Sequence, residues 1–244
     1  MKNKTVFVHT PAKNPVSSLW EKTFRIGFPT AGSVVYMYNA DYGPFGTQEN
    51  HYEWINRVVS VSGEYDELIF CDPDVIFYDN IEELLVDHGQ LMSGRYCPQF
   101  ANEVFKAIEV PRLHTSLLYI PNPVRLRAAL NANSFGLRRR FQQDNWWQPH
   151  LVVLNRVHHW FDTGASIYQA VGGEHFDDQL LDRYTHLNCG TMLEAVAPLM
   201  KRGDDLREIH SLAFSNPLAL KGLWKKQNKY YSERQTYGDC VHTN

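Results

Sequence analysis

The sequence predicts an α/β fold, a central and mostly parallel sheet flanked by helices. Two observations carry that expectation. Within the first 90 residues, β-branched and aromatic runs alternate with stretches of helical periodicity, the pattern of strands joined by crossover helices. The length of 244 residues, with 43% hydrophobic and 21% charged side chains, suffices for a substantial core without staples.

The elements follow in order. TVFVHT (5–10) reads as a buried strand ended by Pro11. SVVYMY (33–38) is a second strand after the PTAG breaker, and NADYGPFGTQ (39–48) is a Gly/Pro loop. In ENHYEWINRVVSVSG (49–63), Trp54, Ile55, Val58, Val59 and Ser62 fall at helical spacing and Gly63 closes the helix. DELIFC (66–71) is the third strand, and VIFY (75–78) resumes extended structure. DNIEELLVDHG (79–89) reads as a helix, with Asn80 as its cap, Glu83 completing a capping box and Gly89 at its end.

The second half is less regular. HTSLLYIP (114–121) is a strand stopped by PNP, and PVRLRAALNA (123–132) is a short helix. SFGLRRRFQQDNWWQPH (134–150) is an aromatic, basic loop or broken helix, and HLVVLNRV (150–157) is a strand or the start of a buried helix. FDDQLLDRYTHL (176–187) sets Phe176, Leu180, Leu181 and Tyr184 at helical spacing, and GTMLEAVAPLMKRG (190–203) is a further helix. No repeat or clean linker interrupts the chain, so one domain is expected over 1–244.

Bulk composition excludes some functions. A net charge of −3 makes the whole chain a poor electrostatic partner for nucleic acid. The four cysteines are scattered with no CxxC pair, which argues against structural zinc and for free buried thiols in a reducing compartment. No apolar run approaches the ~18 residues of a spanning helix. The amino-terminal apolar run is too short for a signal-peptide core. The expectation is a cytoplasmic protein.

The chemistry concentrates in ELIFCDPDVIFYDN (67–80). Asp72 and Asp74 follow an apolar strand, and a turn alone needs only one of them. In parallel sheets, ligands bind beyond the carboxyl ends of strands. Two carboxylates there offer oxygen ligands to Mg²⁺ or Mn²⁺, which would recruit phosphate oxygens and neutralise a departing diphosphate. Pro73 restricts the backbone between them.

EYDELIFCDPDVIFYDNIEELL resembles the DxD segment of GT-A fold nucleotide-sugar glycosyltransferases, in particular the family 8-like group that includes glycogenin and bacterial lipopolysaccharide glycosyltransferases. Further stretches fit that family's order: EWINRVVSVSG, HTSLLYI, FDDQLL and EIHSLAFSNPLALKGLW. The resemblance implies a Rossmann-like GT-A domain, with a nucleotide- and metal-binding half over about 1–90 and an acceptor-binding half over 91–244. It implies Mn²⁺ or Mg²⁺ held by Asp72, Asp74 and His210, and donor contacts from Thr10, Arg57 and Lys221. Asp177, Asp178 and Gln179 would be catalytic, with Asp178 a general base if the reaction inverts, or Asp178 or Gln179 steadying the sugar if it retains, as the resemblance implies. His114, Trp146 and Trp147 would meet the acceptor. Three departures stand out: DDQ for the family's DQD, His114 where a small amide is usual, and a long spacing from His210 to Lys221.

The implied partners are a nucleotide-diphosphate sugar and a glycan or other hydroxyl acceptor. The interleaved Arg138, Arg139, Arg140, Phe141, Trp146 and Trp147 keep a nucleic-acid acceptor in view. Two other readings stand beside this one. A haloacid-dehalogenase-like phosphatase also places DxD after an apolar strand, but near the start of its domain. A non-catalytic nucleotide-sugar or carbohydrate-binding module would keep the fold alone.

Overall fold

The structure is a computed structural model, and it describes residues 3–11, 15–39, 46–64, 66–102, 106–141, 146–187, 211–212 and 215–221. The expected helix over 190–203 and the basic tail after Trp224 lie outside the described residues, as does His210.

The central sheet has six strands. They are β1 (Asn3–Pro11), β2 (Ser33–Asn39), β3 (Asp66–Cys71), β5 (Ser93–Cys97), β8 (Arg112–Ile120) and β11 (Glu174–His175), in the spatial order β11-β5-β8-β3-β1-β2. β1 pairs in parallel with both β2 and β3, and β11 pairs in parallel with β5. β8 runs antiparallel to both its neighbours, so it alone among these six opposes the rest. The sheet is thus mostly parallel, and the fold is α/β as expected. Chain order reverses across β1: β2 lies on one side of it and β3 on the other. That reversal makes a crevice at the carboxyl ends of β1 and β3, where open α/β sheets bind ligands.

Side-chain alternation sorts the two faces. Val6, Val8, Ile69, Cys71, Leu117 and Tyr119 face α1 (Pro15–Gly27) and β4 (Val75–Phe77). Phe7, Leu68, Phe70, Leu118 and Ile120 face α2 (Gly46–Val61), α3 (Pro123–Phe141) and α4 (Ala165–Val171). On the first face Trp20, Phe24, Phe28 and Phe77 form an aromatic run, with successive centroids 4.6, 5.3 and 5.3 Å apart. Each such pair adds about 0.5–1.5 kcal/mol beyond its buried area. Gly27 permits this approach, since a Cβ there would lie 2.6 Å from the Phe77 ring. This helix was not anticipated, although Trp20, Phe24 and Phe28 recur at i, i+4 and i+8.

Smaller pieces complete the chain. β6 (Phe100–Asn102), β7 (Ala107–Glu109), β9 (His150–Leu154) and β10 (Val157–Phe161) form a four-stranded sheet in the order β6-β7-β10-β9. HLVVLNRV is therefore a strand and hairpin turn. The short helix α5 (Asp178–Leu181) leads into β12 (Tyr184–His186), which pairs antiparallel with β4.

Two expected helices are corrected. Residues 79–89 form a turn and irregular chain. The Asn80 Oδ1 accepts from the Glu82 N–H at 2.9 Å, while the Ile81 and Glu82 N–H groups donate to Gly27 O. The Glu82 carboxylate is taken by the backbone and hydroxyl of Thr30, and Glu83 pairs with Arg183 rather than closing a capping box. Residues 176–187 hold one helical turn, then β12, because the β4 edge supplies a strand partner for Tyr184, Thr185 and His186. Cys71 and Cys97 are free and buried. Among the described residues, no helix is long and apolar enough to cross a membrane.

Candidate metal centre

The Asp72-Pro73-Asp74 segment is a tight turn between β3 and β4. Val75 N–H donates to Asp72 O at 3.3 Å across it, with aspartate first and proline second as such turns prefer. Two further backbone bonds fix the turn: Asp72 N–H to Ser116 O of β8 at 2.8 Å, and Leu187 N–H to Asp74 O at 3.0 Å. The second, together with the β4–β12 pairing of Val75 with His186, carries His186 beside the carboxylates.

His186 Nε2 lies 3.2 Å from Asp74 Oδ1 and 3.8 Å from Asp72 Oδ2. One ligand atom from each of Asp72, Asp74 and His186 falls within 4.8 Å of the others. The Asp74 and His186 side chains are 2% and 6% exposed, whereas Asp72 is 21% exposed and marks the open side. Burial, and then the neighbouring charge of Asp74, raise the Asp72 carboxyl to about 7. Two carboxylates held together out of water repel and are poorly solvated. A divalent cation removes both penalties, and two carboxylate oxygens with one imidazole form a donor set that suits a divalent cation. The residues present therefore fit such an ion.

Two other histidines border the group. His51, in the second turn of α2, sets Nε2 3.7 Å from Asp72 Oδ1. Burial lowers its pKa to about 4, so it is neutral at pH 7. The His114 ring lies 4.7 Å from that of His186, and its Nδ1 accepts from the Ser116 N–H at 3.1 Å. Burial lowers its pKa well below the usual value, so the neutral ring carries its proton on Nε2. Two residues before His114 on β8, Arg112 is held by Asp162 and Glu109. Burial opposes its charge, but those carboxylates outweigh burial and raise its pKa.

Two glycosyltransferases are among the solved structures that match this chain. One is a galactosyltransferase, LgtC, in complex with donor and acceptor sugar analogues. It matches with a TM-score of 0.37 and 11% identity, over 57% of this chain and 65% of its own. The other is a bifunctional glycosyltransferase, WbbM, in its apo form. It matches with a TM-score of 0.43 and 10% identity, over 86% of this chain and 50% of its own. The chain thus spans less than two thirds of either. No family profile matches the sequence, and no curated protein matches it.

The remaining expected site residues fall in several places. Thr10 sits near the carboxyl end of β1. Arg57 is exposed on α2, about 120° around the helix from His51 by the helical period. Lys221 is exposed just after the 3-10 turn Pro217–Leu220, whose Leu220 O accepts from Thr185 Oγ1 at 2.9 Å, next to His186. Asp177, Asp178 and Gln179 are exposed, and Asp177 caps α5 through the Leu180 N–H at 2.8 Å. Among the described residues, no hydrogen bond or ion pair joins those three to Asp72, Asp74 or His186. Trp147 is 2% exposed within the core, and Trp146 is partly buried against the same cluster. Sequence reasoning missed His186 and His51. Neither stands out among eleven histidines, and His186 reaches the carboxylates only through the β4–β12 pairing.

Proposed function

We propose that the chain is a metal-dependent glycosyltransferase that moves a sugar from a nucleoside-diphosphate donor to a hydroxyl acceptor. The observation that supports it most is the Asp72–Asp74–His186 group beside the crevice between β1 and β3. A Mn²⁺ or Mg²⁺ ion bound there would supply charge stabilisation for a leaving diphosphate. Asp74 and His186 form the buried, fixed wall of the site. Asp72 faces the opening, on the side where an ion held by the three residues would meet the donor phosphates. Thr10, at the end of β1, and Lys221, beside β12, flank the donor side, and Arg57 adds positive charge on α2. His114 presents an Nε2–H toward the acceptor side, with Trp146 nearest the surface.

The test is the release of nucleoside diphosphate from a panel of nucleotide sugars by the full chain. Release that requires Mn²⁺, stops with chelator and is lost in Asp74→Ala is the expected result. Phosphate release from simple phosphate esters, with no response to any nucleotide sugar, would support the phosphatase reading instead.

A further inference from the structure

The Asp72 carboxylate lies between two imidazoles, and each faces a different oxygen. Oδ2 looks toward His186 Nε2 at 3.8 Å, and Oδ1 toward His51 Nε2 at 3.7 Å. Only one of these oxygens is needed to complete the group with Asp74 and His186. His51 stands outside that three-residue group. The terminal torsion of an aspartate is broad and nearly two-fold. Without a partner on its second oxygen, Asp72 would present either oxygen or neither.

We infer that His51 is the positioning residue of this centre, its Nε2–H holding Asp72 Oδ1 so that Oδ2 stays turned toward Asp74 and His186. The inference rests on the metal-site reading above. The scaffold suits the role. His51 stacks near Trp54 one turn along α2, with centroids 6.2 Å apart. Trp54 meets Phe70 edge-on at 5.5 Å, two residues before Asp72 on β3. Helix and strand are thus locked directly beneath the pair. The imidazole is 12% exposed, and Nε2 is the ring atom that faces Asp72. The present 3.7 Å separation is longer than a formed hydrogen bond. Contacts of this kind tighten when a site is loaded. Partners that orient ligating side chains typically contribute 10–100-fold in metal affinity.

The experiment is calorimetric titration of Mn²⁺ into the full chain, wild type and variants, with the thermal midpoint of each metal-free protein as control. The expected result is a loss of about 10–100-fold in Mn²⁺ affinity for His51→Ala with an unchanged metal-free midpoint. His51→Gln, which keeps an N–H at similar reach, should return affinity to within about threefold of wild type. Wild-type binding with equal affinity in His51→Ala overturns the inference while the metal centre stands. Equal losses in His51→Ala and His51→Gln also overturn it, because ring volume rather than the N–H would then be the cause. No Mn²⁺ binding by wild type removes the metal centre and the inference together.

Discussion

Asp72-Pro73-Asp74 and Asp177-Asp178-Gln179 are both acidic turns flanked by apolar residues. The first closes a strand against β8 and β12, with Asp74 2% exposed and a histidine 3.2 Å from its carboxylate. The second is open to solvent, and Asp177 spends its carboxylate on the N-terminus of a one-turn helix. Local composition is nearly the same, and what differs is non-local. In the first turn the Asp72 N–H donates to Ser116 O and Asp74 O accepts from the Leu187 N–H, whereas among the described residues Asp177 O and Asp178 O accept only local bonds, from Leu181 and Asp182. Enclosure makes a carboxylate pair costly without a cation. Exposure leaves it free to cap.

The largest expected effect breaks the first turn. Asp74→Ala should reduce Mn²⁺ affinity by more than about 100-fold, beyond the 10–100-fold of an orienting partner, as read by calorimetry. The circular dichroism spectrum should be unchanged. Asp178→Ala should leave that affinity within about twofold. Equal losses in the two variants would erase the distinction between the turns.

The next effect is a pH dependence. Asp72, raised to about 7, must lose its proton for the cation to bind. Mn²⁺ affinity should therefore rise roughly tenfold per pH unit up to about 7 and level off above it. Overall stability is a poorer readout, because two groups oppose each other. The folded chain keeps a proton on Asp72 between its ordinary value of 3.8 and about 7, so this group lowers stability as pH rises through that window. His51, lowered from 6.5 to about 4, is protonated more readily when unfolded, so it raises stability over an overlapping window. A flat Mn²⁺ affinity from pH 5 to pH 8 would contradict the role given to Asp72.

The smallest effect concerns the second turn. Asp177→Ala should cost about 1 kcal/mol through the lost cap, measured by urea unfolding, with Mn²⁺ affinity unchanged. A drop in affinity would tie the Asp177 turn to the metal site.

Most of the first half of the fold was legible in the sequence. β1, β2, α2, β3 and β4 follow from continuous apolar runs, helical spacing and Gly/Pro punctuation, which are local signals. The failures have physical causes. Residues 79–89 have a capped helical pattern, but Glu82 binds Thr30 and the N–H groups of Ile81 and Glu82 go to Gly27. Tertiary hydrogen bonds thus outweighed propensity. The stretch 176–187 reads as helix by spacing, yet pairing with β4 takes its last third. The aspartates of the candidate site were readable because two acids after a buried strand are unusual. His186 and His51 were not, since each reaches the site from an element whose docking no local pattern encodes.

The central claim is that these residues form a cation-dependent nucleotide site, and thermal melting of the full chain tests it most directly. The protein would be melted with each nucleoside diphosphate alone, with Mn²⁺ alone and with both. The account predicts that one nucleotide with Mn²⁺ together raise the midpoint far more than either alone. Saturation to about 100 times the dissociation constant corresponds to roughly 2.7 kcal/mol. No rise with any nucleotide in the presence of Mn²⁺, or the same rise without it, would contradict the claim.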